Sequence, residues 1–479
     1  MIRLTKLTLT SVRNIQHGTI SFNTLPDCGS ITGIYGQNGS GKTSVIDAIQ
    51  ILKQLLSGNP LPIDTAEVID ETRQPMRLEA LFQVNGAHLL YIGEIRAENG
   101  QPILTHEELN MGASAGKLGR PIISWNASDD RTLDLSPKYL WDSICDDGES
   151  KTMLRFANRD ALTDTRSFLF SDTFTTELPD AMLQSKRKLT AKARKTLDSL
   201  PANLFDTMRS LQEYAQHNMA VLTTRRTSIV SQSYMPLTTD NRNGGYDNWL
   251  YDLLGDSVAV SQPVAKDLQQ MIRTFDIILP AMIPGLTLQL DELEKTVLDD
   301  GSIGIRVALY SIRDGRRIPF RRESEGVQRI ISMLTYLIHA YNDPDACIAI
   351  DELDTGIFEY LLGELIKEFT HAEGQLIFTA HNLRVFETVP KASKTITLTT
   401  IDPENRFTPL QHVAKTENGR RQYLGEVENG GGLYRKPEIT LGEAFRSIGD
   451  IEARRQVAAK EYTHHFNNVR EMDSYFDSL

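Results

Sequence analysis

The residues best placed to do chemistry are Gly36-Gln37-Asn38-Gly39-Ser40-Gly41-Lys42-Thr43, which fit the pattern G-x-x-x-x-G-K-[ST]. Glycines at this spacing let the backbone curl until its N–H groups converge on phosphate oxygens. A helix opening at the lysine adds its positive end. Gly36, Asn38, Gly39, Ser40, Gly41 and Ser44 are expected to cradle a nucleotide. Lys42 is expected to reach the β- and γ-phosphates, and Thr43 to offer a hydroxyl to Mg²⁺. A second candidate group is Asp351-Glu352, which closes the apolar run Ala346 to Ile350. Behind a buried strand, the first carboxylate of such a pair holds Mg²⁺ and the second polarises an attacking water. Together the two motifs predict ATP and Mg²⁺ as the small-molecule partners.

These residues need strands and helices to hold them. Ile2 and Leu4, then Leu7 and Leu9 after a shift of phase, read as a strand; Ile20 and Phe22 suggest a second. Ile31 to Tyr35 is a third and runs into the glycine-rich turn. From Thr43, the residues Val45, Ala48, Ile49, Leu52 and Leu56 recur at helical spacing, and Ser57-Gly58-Asn59-Pro60 stops that helix. Residues 77–110 read as strands with turns at Asn85-Gly86 and Asn99-Gly100. Ile303, Ile305, Val307 and Leu309 alternate as a strand, and Asp314-Gly315 predicts a hairpin before Ile318-Pro319-Phe320. Ser324-Glu325-Gly326 opens a helix whose buried stripe is Val327, Ile330, Ile331, Leu334, Leu337 and Ile338. Gln375 to Ala380 is a further buried strand and ends in His381. This strand–helix–strand rhythm predicts a parallel sheet with helices packed on it.

The chain has 479 residues with a net charge of −12, so its overall field does not favour general adhesion to nucleic acid or anionic membrane. Its three cysteines, Cys28, Cys145 and Cys347, form no CxxC pair, which points to a reducing, cytoplasmic setting. Residues 1–14 lack the apolar core of a signal peptide, and no run approaches the roughly 18 apolar residues of a membrane span. Residues 111–300 carry no recognised motif. The part from about 175 to 225 reads as helix and includes a basic stretch from Lys186 to Lys195. No heptad pattern is sustained long enough for a long coiled-coil arm.

Several further motifs fall in a familiar order. Ser324 and Gly326 stand at a helix start before the acidic strand, Asp354 lies just past the acidic pair, and His381 ends the next strand. This order resembles the ABC/SMC-type ATPases. Glu323-Ser324-Glu325-Gly326, the Asp-Glu-x-Asp run and Thr379-Ala380-His381-Asn382 are most similar to the RecF/SMC/OLD-like branch, which includes ATPase subunits of bacterial anti-phage systems such as PARIS and Septu. The matching segments are roughly residues 1–110 and 300–400. The chain lacks a full L-S-G-G-Q, and a long insertion separates its P-loop from its acidic strand, so it departs from the transporter subfamily.

The resemblance implies an α/β fold: an ABC-type P-loop ATPase head with an antiparallel flanking sheet and an inserted, partly helical region. It divides the chain into an N-terminal half of the head (1–110), an insertion (111–300), a C-terminal half (301–410) and a tail (411–479). It implies that Ser324 and Gly326 cover ATP held by another copy, that Asp354 belongs to the loop between heads, that Glu352 activates water and that His381 senses the γ-phosphate. Arg13, followed by Asn14, would approach the nucleotide, and Gln83 is a candidate for the Q-loop glutamine. The tail contains no Asp-x-Asp pair for nuclease metals, and His464-His465 with Glu461 make no convincing metal site. The implied partners are a second copy (a dimer or higher homo-oligomer), a separate effector such as a nuclease, and a nucleic-acid or phage-protein trigger. The competing reading is a DNA-repair or chromosome ATPase that clamps DNA directly.

Overall fold

A computed structural model describes the whole chain except residues 23–29, 113, 117, 129–132, 145–147, 181–199, 224–234, 242–244, 252–255, 390–391, 411–418, 430–431, 436–438, 441, 449–467 and 477–479. The basic stretch Lys186 to Lys195, Cys28, Cys145, Glu461 and His464-His465 lie outside the described residues. Met1–Tyr434 form one compact unit and Arg435–Leu479 a second. The second contains the short amphipathic helix Val469–Phe476.

At the centre of the first unit is a six-stranded sheet in the order β19-β18-β3-β17-β16-β9. Its strands are β3 (Ser30–Tyr35), β9 (Met219–Leu222), β16 (Cys347–Ile350), β17 (Gln375–Thr379), β18 (Ile396–Thr399) and β19 (Phe407–Pro409). All neighbours are parallel except β18 and β19. A parallel sheet must be covered on both faces, and alternate residues go to opposite cores. Ile34, Val221, Ala349 and Ile377 face the core containing helix α1 (Lys42–Leu56). Ile31, Leu222, Ile348, Ile350 and Phe378 face a second core.

A seven-stranded antiparallel sheet flanks the first core, in the order β2-β1-β4-β5-β6-β7-β8. It comprises β1 (Ile2–Val12), β2 (Ile15–Ser21), β4 (Met76–Val84), β5 (Ala87–Glu98), β6 (Gln101–Gly112), β7 (Ile123–Asn126) and β8 (Asp134–Ser136). The phase shift between Leu4 and Leu7 has a physical cause: the β1–β4 register slips between Leu4 and Lys6, and the irregularity turns the next side chains back to the core. Asn85-Gly86, Asn99-Gly100 and Asp314-Gly315 each place both residues at positive φ, the backbone a two-residue type I′ hairpin turn needs.

A third sheet joins β12 (Val258–Ser261), β13 (Leu286–Val297) and β14 (Ile303–Arg313), with β15 (Arg316–Pro319) on the β14 edge. Helix α5 (Gln262–Met282) packs on it; α2 (Lys138–Ile144), α3 (Gly148–Asp164) and α4 (Leu204–Glu213) precede it in the chain. Helix α6 (Glu325–Asn342) joins two cores. Its Ile330 and Leu337 pack beneath the parallel sheet, and its Ile331 and Leu334 pack against α5 and the third sheet. Strands β10 (Met235–Asn241) and β11 (Gly245–Tyr251) form a separate two-stranded antiparallel sheet.

Much of what the structure describes between residues 111 and 222 is central to this architecture. Trp125, Trp141, Phe168 and Phe174 are buried in the same core as Val45 and Leu52 of α1. The helical reading of about 175–225 holds for α4 but ends early: from Met219 the chain is strand β9, whose four residues are all buried and pair with β16. A run of Met-Ala-Val-Leu is too short for periodicity to distinguish strand from helix, and the open edge of β16 decides it. The described residues of 419–434 also belong with the first unit, through Tyr423 against Phe386, the Arg420–Glu387 ion pair and the core residue Leu433.

One buried carboxylate ties residues 167–169 to the antiparallel sheet. Glu107 on β6 is fully buried and accepts from Tyr91 Oη (2.7 Å), Ser167 Oγ (2.5 Å), Phe168 N (2.7 Å) and Leu169 N (3.2 Å). Burial pushes its carboxyl above the ordinary range, against the pull of those donors. Glu107→Ala should therefore cost several kcal/mol, since each stranded buried donor costs about 1–3 kcal/mol. Glu107→Gln keeps the oxygen for the two amides, and both hydroxyls can rotate to accept. Because the folded pKa is raised, the stability contributed by wild-type Glu107 is full below the unfolded carboxyl pKa and lost as pH rises through the folded value. The stability of the wild type relative to Glu107→Gln should thus fall from mildly acidic pH upward in urea titrations; a constant difference would refute the assignment.

Candidate nucleotide site

The glycine-rich loop leaves the carboxyl end of β3 and enters α1 at Lys42. The acidic pair follows β16, and His381 lies just beyond β17. These are adjacent parallel strands, so the sheet brings the sequence-predicted groups to one edge, where open α/β sheets bind ligands. Gly36 has φ +156°, and a Cβ there would lie 1.6 Å from Thr399 Oγ1. No side chain fits, because Thr399 at the end of β18 occupies that space. Its Oγ1 donates to Tyr35 O (3.3 Å) and lies 2.6 Å from Ser40 Oγ, which braces the loop from below.

Lys42 is nearly buried, and its Nζ donates to Gly36 O (2.9 Å) and Gln37 O (3.1 Å), folded over the loop. Burial lowers its pKa, and the carboxylates of Asp351, Glu352 and Asp354 counter that shift. An anion placed in the loop would give the ammonium a better partner than two neutral carbonyls. Ser44 is buried in the first turn of α1, whereas Asn38 and Gly39 lie exposed at the loop's crest.

Asp351 is fully buried. Its Oδ1 accepts from Thr379 Oγ1 (2.6 Å) and lies 3.3 Å from Thr43 Oγ1. A threonine hydroxyl beside a carboxylate is an oxygen-only donor pair, the chemistry Mg²⁺ selects when nucleotide and water supply its other ligands. No cluster of three or more His, Cys, Asp and Glu suited to a metal occurs among the described residues. Glu352 follows with φ +50°, a left-handed conformation uncommon for a non-glycine residue. Its N–H donates to Thr379 Oγ1 (2.7 Å), so Thr379 spans both acids. Asp354 Oδ2 accepts from the backbone N–H of His381 (2.9 Å) and Asn382 (2.7 Å). The His381 imidazole is exposed.

Ser324 caps α6; its Oγ accepts from Val327 N at a long 3.4 Å, and the residue is exposed. A Cβ on Gly326 would lie 2.5 Å from Gly356 O, so only glycine lets the start of α6 touch the loop that follows the acidic pair. Arg13 is exposed, with φ +48°, and pairs with Asp47 of α1 (2.7 Å). Its neighbour Asn14 reaches the loop itself, donating from its amide to Gly39 O. Gln83 is brought to none of this. It faces Arg3 across the β1–β4 ladder, at the end opposite Val12, beyond which Arg13 and Asn14 lie.

Neither Thr399 nor Arg329 (whose Nη2 donates to the carbonyls of Asp351 and Glu352) stands out in the sequence, and Thr379 does so only within a motif. Each works through a contact from another element, and a lone threonine or arginine has no local signal. Outside this site, Cys347 is buried and its thiol is pushed up to about 11, so it is no nucleophile. No helix among the described residues is long and apolar enough to cross a membrane.

Comparison with known proteins adds the following. Residues 6–68 match the family described as "AAA domain". A search of curated protein sequences gives no match. Among solved structures, the chain is similar to an Smc head bound to the C-terminal winged-helix domain of ScpA, with 13% identity over 85% of this chain and 98% of that one, at a TM-score of 0.42. It is also similar to an Smc head with an extended coiled coil bound to the C-terminal domain of ScpA from Pyrococcus furiosus (12% identity, 89% and 100% covered, TM-score 0.38). A third is an SMC head domain from Thermotoga maritima (13% identity, 86% and 100% covered, TM-score 0.36). The chain is thus an α/β protein with a P-loop on a parallel sheet, and its segment 6–68 carries the AAA-domain sequence pattern.

Proposed function

We propose that the chain is an ATP-hydrolysing switch whose heads close face to face on ATP. The observation that carries this reading is the convergence of the glycine-rich loop, Asp351-Glu352 and His381 at one sheet edge, with Ser324 capping an exposed helix end nearby in the fold. The loop amides and Lys42 bind the phosphates. Thr43 and Asp351 hold Mg²⁺, which when bound neutralises phosphate charge. Glu352 takes the proton of the attacking water, and the exposed His381 ring is free to meet the γ-phosphate. Ser324 and the first amides of α6 face the nucleotide of the other head, since a helix start favours an anion. Loss of the γ-phosphate removes the bridging charge, and the heads part.

The switch is read here as the regulatory ATPase of a bacterial anti-phage complex with a separate effector, such as a nuclease. That assignment rests on the Glu-Ser-x-Gly, Asp-Glu-x-Asp and Thr-Ala-His-Asn motifs together with the acidic net charge. Recovery of a nuclease with the chain expressed from its own operon would support it.

The core of the reading is tested by Glu352→Gln. Turnover should fall about 10²- to 10⁴-fold, the usual cost of losing a general base. ATP-dependent pairing, followed by sedimentation, should persist longer than in the wild type, because a repelling charge beside the γ-phosphate is gone. Undiminished turnover would assign water activation to another group.

A further inference from the structure

The start of α6 and the acidic turn touch at two points. One is the close approach of Gly326 to Gly356 O. The other is Arg329, one turn further along α6, whose guanidinium is nearly buried and donates through Nη2 to Asp351 O (3.2 Å) and Glu352 O (2.7 Å). Both carbonyls belong to the turn that puts Glu352 at φ +50°. The Glu352 peptide is thus held on its N–H side by Thr379 and on its carbonyl side by Arg329.

Burying a guanidinium is costly, and only 8% of Arg329 remains exposed. Among the described residues its Nε meets no partner, and Asp354 Oδ1 in the same turn is likewise buried without one. A charged side chain held at such a cost, with donor and acceptor to spare, does more than fill space. A left-handed non-glycine residue persists only where its surroundings over-determine it, and Arg329 is one of the two side chains that do so. Because Arg329 and Ser324 share one rigid helix, the place of Glu352 is tied to the helix end proposed to meet the other head's nucleotide.

We propose that Arg329 is a positioning residue for Glu352, acting within its own head and linking that carboxylate to the partner-facing end of α6. The proposal rests on the face-to-face reading above. Arg329→Met keeps the stem and removes the donors. It should leave ATP affinity within about twofold and ATP-driven pairing intact, while kcat falls on the order of 10- to 100-fold, as small misplacements of catalytic groups do. Arg329→Lys, which can still donate to a carbonyl, should recover part of kcat and serves as the second variant if the methionine folds poorly. An unchanged kcat, or loss of pairing in parallel with kcat, would overturn the proposal.

Mixed pairs isolated through two affinity tags separate the two ideas, with Lys42→Ala plus wild type as the reference. A Lys42→Ala head paired with an Arg329→Met head should be slow, since the working site then contains Met at 329. A head carrying both Lys42→Ala and Arg329→Met, paired with wild type, should match the reference. The reverse pattern would place Arg329 in support of the signature end and refute the positioning role. A head with Lys42→Ala and Ser324→Arg paired with wild type should be dead. If that pair matches the reference, the face-to-face reading fails whatever Arg329 does.

Discussion

Lys42→Ala is expected to lower ATP affinity by a hundredfold or more while leaving the thermal unfolding midpoint nearly unchanged. The binding loss follows from the ammonium's place. Its present acceptors, Gly36 O and Gln37 O, are loop carbonyls, and phosphate oxygens would replace them. Hydrogen bonds between charged groups are worth about 1.5–3 kcal/mol each, so losing two costs on the order of 10²- to 10⁴-fold. No neighbouring cation replaces it, because Arg13 is engaged with Asp47. Stability should behave differently. Burial disfavours the Lys42 ammonium and lowers its pKa, so the fold gains little from it without a nucleotide. Calorimetric titration and thermal melts on one preparation check both halves. Wild-type affinity would remove the phosphate-binding role, and a large drop in melting temperature would make Lys42 a structural residue.

Ser324→Arg should abolish ATP-driven pairing and hydrolysis while a single head still binds ATP. The side chain is exposed and its cap bond to Val327 N is long, so the cap itself matters little here. Losing such a cap costs about 0.5–2 kcal/mol, and the long bond argues for the lower end. On the proposed face-to-face arrangement, a large side chain at this point instead fills the space of the opposing phosphate. Mixing a Lys42→Ala head with a Ser324→Arg head gives one composite site with both lesions and one with neither, so hydrolysis should return in the mixture although each variant alone is inactive. Activity of Ser324→Arg alone would sink the shared-site reading. A dead mixture with proven subunit exchange would show that the sites do not work independently.

Some of this is decided by contiguous residues. The glycine-rich loop is eight successive positions, so its pattern, the strand before it and the helix after it lie in one stretch of chain. The type I′ turns are likewise local, because a two-residue turn depends on neighbours in sequence, whereas the phase shift in β1 is visible in the pattern but arises from its pairing with β4. The acidic pair was legible as the end of an apolar run. Tertiary structure decided how such groups meet. The sequence separation is 308 residues between Thr43 and Asp351, and 359 between Ser40 and Thr399. No periodicity encodes those meetings; the order of strands in the parallel sheet does. The same sheet recruits Met219–Leu222 from the supposed insertion, since the edge of β16 offers unpaired backbone groups that must be satisfied. Thr379 and Arg329 reach the acidic turn from β17 and α6, where fixing the Glu352 peptide requires a donor and an acceptor that no neighbour in sequence supplies.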